Sequence, residues 1–288
     1  MRFVSFTQRG TARFGVVDRE GVIDLTQRLA ADYGSLRDLL AGNGQGQARA
    51  KVEALLDRGR ADHALDSLSF LPVIPDPTKI ICVGANYYEH AAEMGRSTAK
   101  PDYPMLFVRW PSSLVGHDQP LVKPRESEQF DYEGEIAVII GKPGRRIPRE
   151  RAFDYVAGYS IFQDGSVRDF QRHTSQFTPG KNFYATGSLG PWLVTRDDIA
   201  DPFAFTLTTR LNGVEMQHAV TRDMIFSIEE TIAYCSTFTE LVPGDVIATG
   251  TPGGVGFARK PPVFMKPGDM VEVEVSNIGV LRNPASEG

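Results

Sequence analysis

The chain has 288 residues, 41% of them hydrophobic, which is enough for one large domain or two unequal ones around a real core. Its formal charge of -5, with lysine and arginine scattered along the chain, excludes the clustered basic surface that nucleic-acid phosphates require; small ligands are the expected partners. Cys82 and Cys235 are too few for a disulfide scaffold and match no zinc or redox spacing. The N-terminal MRFVSFTQRG lacks the apolar core of a signal peptide, and no stretch reaches the ~20 apolar residues of a membrane span. The expectation is a soluble cytoplasmic protein with no membrane partner.

Up to about Thr26, short runs such as RFVSF and RFGVVD alternate apolar and polar residues around a turn between Asp18 and Gly21, as hairpin strands do. Two helices are predicted around apolar centres at 36–40 and 52–56, and the proline-punctuated LPVIPDPTK over 71–79 reads as a domain boundary. Beyond it the chain is richer in strands, with apolar runs at 80–83 and 136–140 and a hairpin turned by Asn212-Gly213. Ser227 and Glu230 supply the S-x-x-E of a capping box, and the apolar spacing after them predicts a helix to about Leu241. Residues 271–275 alternate valine with glutamate, as a half-buried strand does. The class is α+β, mainly β.

Side chains two apart on a strand share a face, so Glu133 and Glu135 aim two carboxylates at one point about 7 Å apart along the backbone. The IAVII that follows reads as a buried strand, where an unpaired carboxylate costs several kcal/mol and a cation offsets the cost. A solvated strand end fits the same E-x-E spacing. Asp164 closes the apolar YSIFQD before Gly165, the place where a strand turns into a ligand-facing loop; an ordinary turn aspartate fits there too. Three oxygen ligands without nearby His or Cys select a hard ion, magnesium or manganese before calcium.

His90 and Glu93 lie three apart on a predicted helical face, as a base and its orienter do, and as pairs on solvated helices also do. Arg168, in the Ser166-to-Gln171 stretch, and Lys181 follow Asp164 closely enough to face an anionic substrate; solvated cations are the other reading. The glycine-rich TGTPGGVG over 249–256 lacks both G-x-G-x-x-G and a P-loop lysine, which rejects nucleotide binding. Its Thr251 hydroxyl and neighbouring amides suit a carboxylate instead.

In order along the chain, NYYEHAAE, FVRWPSSLVG, DYEGEIAVIIGK, FQDGSVRDFQ, PGKNF, GPWLVT, LNGVEMQ, MIFSIEETI, LVPGDVIATGTPGGVG and PGDMVEVEVSNIGVLRN resemble the fumarylacetoacetate hydrolase family over residues 80–283. The resemblance implies a mixed β-roll catalytic domain over 73–288 and a small N-terminal α+β domain over 1–72. It implies Glu133, Glu135 and Asp164 as metal ligands, His90 and Glu93 as the catalytic dyad, Lys181 as the active-site lysine, and a homodimer. Substrate contacts are expected from Arg109, Arg168, Gln171 and Thr251. Two departures touch the distal pocket: Ala85 stands where short members carry the arginine of G-R-N-Y, and Arg109 where many relatives have lysine.

The expected activity is magnesium-dependent hydrolysis of a carbon-carbon bond in a 2,4-dioxo acid of the acylpyruvate or fumarylpyruvate type, manganese being the other candidate ion. His90, oriented by Glu93, would activate the water and Lys181 would stabilise the oxyanion. The family resemblance also admits decarboxylation of an oxaloacetate-type 2-oxo acid and hydration or isomerisation of an unsaturated 2-oxo diacid. A silent 2-oxo acid binding protein is the reading outside enzymology.

Overall fold

The computed structural model describes residues 1–19, 21–42, 46–58, 60–97 and 99–288. Their backbone is mainly strand, as the alternating patterns predict, with helices placed against the sheets; the fold is α+β and mainly β. At its centre is the strand Gly134–Ile140, which pairs antiparallel with Val156–Gln163 on one side and with Val246–Ala248 on the other. Val246–Ala248 in turn pairs parallel with Ile80–Gly84, which pairs antiparallel with Met105–Val108.

Antiparallel strands commonly face water on one side, yet all seven residues of Gly134–Ile140 are buried. Both faces of the large sheet are covered. Ile136, Val138 and Ile140 pack with Leu207, Val273 and Val275 of a second, five-stranded sheet and with Ile228 and Ile232 of a helix. Ala137 and Ile139 share the opposite core with Leu36, Leu39, Leu40 and Val52 of the two N-terminal helices, Leu36–Gly42 and Gln47–Arg58. The uninterrupted IAVII is the sequence trace of this double burial.

The N-terminal strands Arg2–Gln8, Thr11–Asp18 and Gly21–Asp24 pair as the expected hairpin strands, together a three-stranded meander, and continue the same large sheet. Arg2 and Phe3 pair with Val194 and Leu193 of the strand Gly187–Thr195, so backbone hydrogen bonds cross the boundary expected near residue 72. Among the described residues, no helix is long and apolar enough to cross a membrane.

Local signals translate directly. Asn212 and Gly213 both adopt positive φ, 53° and 78°, between the strands Thr206–Leu211 and Val214–Val220, as a two-residue turn of this sense requires. The helix Ile228–Phe238 opens on a complete capping box: the Ser227 hydroxyl accepts from the Glu230 N–H, and the Glu230 carboxylate accepts from the Ser227 N–H. It ends three residues before Leu241. Thr239 is extended, because Leu241 exchanges two backbone hydrogen bonds with Gly144, at 2.8 and 2.9 Å, and is drawn away from the helical path.

Replacing Ser227 by alanine removes the cap acceptor and is expected to cost about 1 kcal/mol. In a chain this size that lowers the melting temperature by roughly 2–4 °C. Calorimetric unfolding of Ser227→Ala beside the parent checks it; an unchanged midpoint would show that the cap is not stabilising.

Candidate active site and metal centre

Antiparallel register builds the acidic cluster. Gly134 faces Gln163 across the central pair, so the next residue along, Asp164, lies beside Glu133 and its N–H donates to the Glu133 carbonyl at 2.8 Å. Glu133 and Glu135, flanking Gly134, project to the same side. Carboxylate oxygens of Glu133, Glu135 and Asp164 lie within 4.8 Å of one another, and all three residues are buried. Gly134 is needed between the two glutamates: a Cβ there would meet Thr209 Oγ1 at 2.1 Å, where the five-stranded sheet presses against the other face.

Three buried cations answer this charge. Lys181 Nζ donates to Glu133 Oε2 at 2.5 Å and to Asp164 Oδ2 at 2.6 Å. It is brought there by the short helix Thr178–Lys181, whose Gly180 lies so close to Gln171 that a Cβ would meet the Gln171 backbone nitrogen at 2.4 Å. Arg168 Nη1 pairs with Glu133 Oε1 at 2.6 Å, and its Nε donates to Asp131 Oδ2 at 2.8 Å. Arg109 Nη1 donates to Asp164 Oδ1 at 2.6 Å.

Glu135 is the exception. Among the described residues no cation pairs with it, and Glu135 Oε2 accepts only the Gly250 N–H, at 2.8 Å. Burial, then the neighbouring Asp164 and Glu133 charges, pushes its carboxyl well above the ordinary carboxylate range. Burial acts on Glu133 in the same direction, but Arg168 and Lys181 outweigh it and hold that carboxyl low. Lys181 remains charged: burial disfavours its ammonium, and Asp164 and Glu133 more than reverse this. Four buried carboxyl groups, counting Asp131, thus face three buried cations, and Glu135 is the one left without a cation among the described residues.

Above the cluster, the helix Tyr88–Glu93 sets His90 Nδ1 3.2 Å from Glu93 Oε2. Glu93 Oε1 accepts the Gly254 N–H at 2.7 Å. Asn86 anchors the root of this helix: its side-chain amide donates to the carbonyls of Phe226 and Thr249 and accepts from the Phe226 N–H. The glycine-rich loop has a different task from the one expected. Its amides hold the protein's own carboxylates, Gly250 that of Glu135, Gly254 that of Glu93, and Gly256 and Phe257 that of Asp131. Gly250 and Gly254 have φ of 97° and 98°, and a Cβ on Gly254 would meet the Met216 carbonyl oxygen at 2.1 Å.

His90, Glu133, Glu135, Gln171, Lys181 and Thr251 all border one narrow cleft. Glu93, Arg168 and Gln171 border a wider adjoining one. Arg109, expected to touch substrate, borders neither. All five of its N–H groups are engaged, by Ser113 Oγ and carbonyl, Asp164 Oδ1, the Gly165 carbonyl and Thr186 Oγ1, so it holds Asp164 from behind. Gly187 makes room for the guanidinium, since a Cβ there would meet Arg109 Cζ at 2.8 Å. Thr251 borders the cleft, but its hydroxyl donates inward to the Gly134 carbonyl and accepts from Gln217 Nε2.

Asp131 and Gln217 lie in the motifs DYEGEIAVIIGK and LNGVEMQ, but the sequence assigned them no role. Asp131 carried a further signal, the alternation Asp131, Glu133, Glu135; Gln217, which joins the Gly134 N–H to Thr251, carried only its place in the motif. The donor set suits a hard divalent cation: three clustered carboxyl groups, no thiol or imidazole among them, and one of the three, Glu135, without a protein cation among the described residues.

Fold and site together define an enzyme of mainly β architecture whose carboxylate cluster lies under a histidine-glutamate pair. A family model described as fumarylacetoacetate (FAA) hydrolase C-terminal matches residues 79–285. The chain belongs to the fumarylacetoacetate hydrolase family. It is 39% identical over 290 residues to the mitochondrial oxaloacetate tautomerase fahd2 of Xenopus laevis, covering 99% of this chain and 90% of that one. It is also 39% identical to the oxaloacetate tautomerase YisK of Bacillus subtilis, covering 93% and 94%. The solved structure of maleylpyruvate hydrolase from Sphingobium sp. SYK-6, in complex with manganese(II) and pyruvate, superposes over the whole of both chains with a TM-score of 0.83 at 30% identity.

The missing protein cation at Glu135 has an opposite signature with and without metal. Glu135→Gln is expected to melt no lower than the parent in EDTA, because a neutral amide replaces a buried carboxyl that no protein cation balances. With magnesium or manganese the parent is expected to gain several degrees and the variant little, since its metal affinity falls at least about tenfold. Thermal unfolding and metal titration check both arms; equal metal-induced gains would show that Glu135 is not a ligand.

Proposed function

We propose that the protein is a divalent-metal-dependent oxaloacetate tautomerase, interconverting the enol and keto forms of a four-carbon 2-oxo diacid. The observation that carries the reading is the buried Glu135 carboxyl, unpaired with any cation among the described residues, beside Glu133 and Asp164 and next to His90. The two oxaloacetate tautomerases that align over 90% or more of both chains support it. This favours the oxaloacetate-type alternative over acylpyruvate hydrolysis.

Glu133, Glu135 and Asp164 would hold magnesium or manganese, which when bound supplies Lewis acidity toward a 2-oxo acid. Tautomerisation then needs one proton moved between the enol oxygen and C3, without a hydrolytic water. With His90 Nδ1 directed at Glu93, Nε2 is the ring nitrogen left to carry that proton, and Glu93, held by the Gly254 N–H, fixes the ring. The Lys181 ammonium borders the cleft and opposes negative charge developing on the 2-oxygen. Among the described residues Arg168 Nη2 is buried with no hydrogen-bond partner, a donor free for the distal carboxylate that distinguishes oxaloacetate from pyruvate.

A second reading, hydrolysis of an acylpyruvate, draws support from the maleylpyruvate hydrolase likeness. There His90 would deprotonate a water instead of shuttling a proton to carbon.

The test follows the enol absorbance of oxaloacetate with magnesium, with EDTA, and with oxalate as competitor. Enol loss without carbon dioxide release is expected, abolished by EDTA and blocked by oxalate. His90→Ala should lower kcat/KM by about 100- to 10,000-fold, the range for a general base. Release of pyruvate from acylpyruvates with no effect on the oxaloacetate enol would sink the tautomerase reading in favour of hydrolysis. Binding of oxalate with no turnover of either would leave a binding protein.

A further inference from the structure

We propose that the protein carries a second small-molecule site, at the opposite end of the central strands from the metal cleft, which takes an amphiphilic carboxylate with an apolar body of about five or six carbons.

A cavity of about 140 Å³ opens where the two N-terminal helices meet the large sheet. The strand Gly134–Ile140 starts at the carboxylate cluster and runs out into Gly141 and Lys142, which line this cavity. The strand Val156–Gln163 runs the other way, from the cavity at Val156 to the residue before Asp164. The seven residues of Gly134–Ile140 set the two ends about 20 Å apart. No described residue lines both the cavity and the metal cleft.

The inner walls are apolar. Leu39, Leu40, Ala48 and Val52 come from the helices, and Phe3, Val156 and Ala157 from the strands. Protein interiors hold few voids larger than a water molecule, and an engineered apolar cavity of about 150 Å³ takes up benzene, so this space suits a compact hydrocarbon body.

The rim is charged, and its charges are not all paired. Arg49 is held by Glu53 Oε1 at 2.8 Å and Asp197 Oδ2 at 2.5 Å, and Asp154 is held by Arg151 at 3.1 Å. The Met1 amino group donates to Thr195 Oγ1 at 2.7 Å and to Asp198. Both acids that border the cavity are therefore answered. Lys142 and Arg196 are exposed, and among the described residues neither side chain makes a hydrogen bond or an ion pair. Asp154 and Asp197 face Arg49, Lys142 and Arg196, so the side chains of the rim carry a surplus positive charge. An anion completes it. A carboxylate is the natural acceptor for an ammonium and a guanidinium, and on a short chain it reaches the rim while its body fills the apolar floor.

Calorimetric titration with hexanoate in EDTA tests this. A dissociation constant of about 1 mM is expected, the strength of an efficient ligand of about eight non-hydrogen atoms. Saturating magnesium and oxalate, directed at the other end of the strands, should not change it. Acetate has the charge without the body, and hexylamine has the body with the opposite charge; neither should bind saturably. The double variant Lys142→Glu/Arg196→Glu alters two exposed side chains, so it should keep the parent's melting temperature and lose about tenfold in hexanoate affinity. Absence of saturable hexanoate binding overturns the site. Acetate or hexylamine binding as well as hexanoate overturns its chemistry. Displacement of hexanoate by magnesium and oxalate would place it in the metal cleft and overturn the proposal, as would undiminished binding to the double variant. The three ligands compared on the parent decide the matter if the double variant is unstable. None of these outcomes depends on which reaction the metal cleft performs.

Discussion

The surroundings of the site follow from one electrostatic constraint: four carboxylates and three cations are buried together at the ends of the central strands. An uncompensated carboxylate in a dry interior costs several kcal/mol, so each one present must be met by a cation, a hydrogen-bond donor or a bound ion. Asp131, Glu133 and Asp164 are met by Arg168, Lys181 and Arg109. Glu135 is met by a single amide, which leaves it as the point where an external cation stabilises most. The same constraint explains why a glycine-rich loop lies here. Amides of residues 250, 254, 256 and 257 reach carboxylates of three different elements, and at Gly254 and Gly256 a side chain would collide with the Met216 and Val263 carbonyls.

The sheet makes that cluster rigid. Its central strand is buried on both faces, and its register places Asp164 against Glu133 through backbone hydrogen bonds that flexible side chains could not supply. The parallel pair formed by Ile80–Gly84 and Val246–Ala248 ends at the same level, so the His90 helix and the glycine loop leave the sheet side by side. Asn86 ties the two together by bonding to Thr249 and Phe226. The rigid cluster thus borders a narrow cleft flanked by two wider spaces, one bordered by Arg168 and Arg172 and the other lined in part by Ile225 and Phe226.

Much of this was legible in the residues alone, where the cause is local. Period-two alternation marks the N-terminal meander and residues 271–275, a turn needing two positive φ values calls for Asn212-Gly213, and a capping box needs only Ser227 and Glu230. Glu133 and Glu135 are two apart on a strand whatever the rest of the chain does, and His90 and Glu93 are three apart on a helix. The ordered motifs of the family were likewise written in the sequence. Tertiary structure decided what depends on partners far along the chain. Arg109 meets Asp164 across 55 residues and is thereby turned from a substrate contact into a support; Gly250 meets Glu135 across 115 and gives the loop's amides to the protein itself. Leu241 leaves its helix because Gly144 holds it, and the N-terminal strands join the large sheet because Gly187–Thr195 offers them an edge. Periodicity and capping are set within a turn or two of chain, whereas charge compensation and sheet order exist only once distant segments exclude water together.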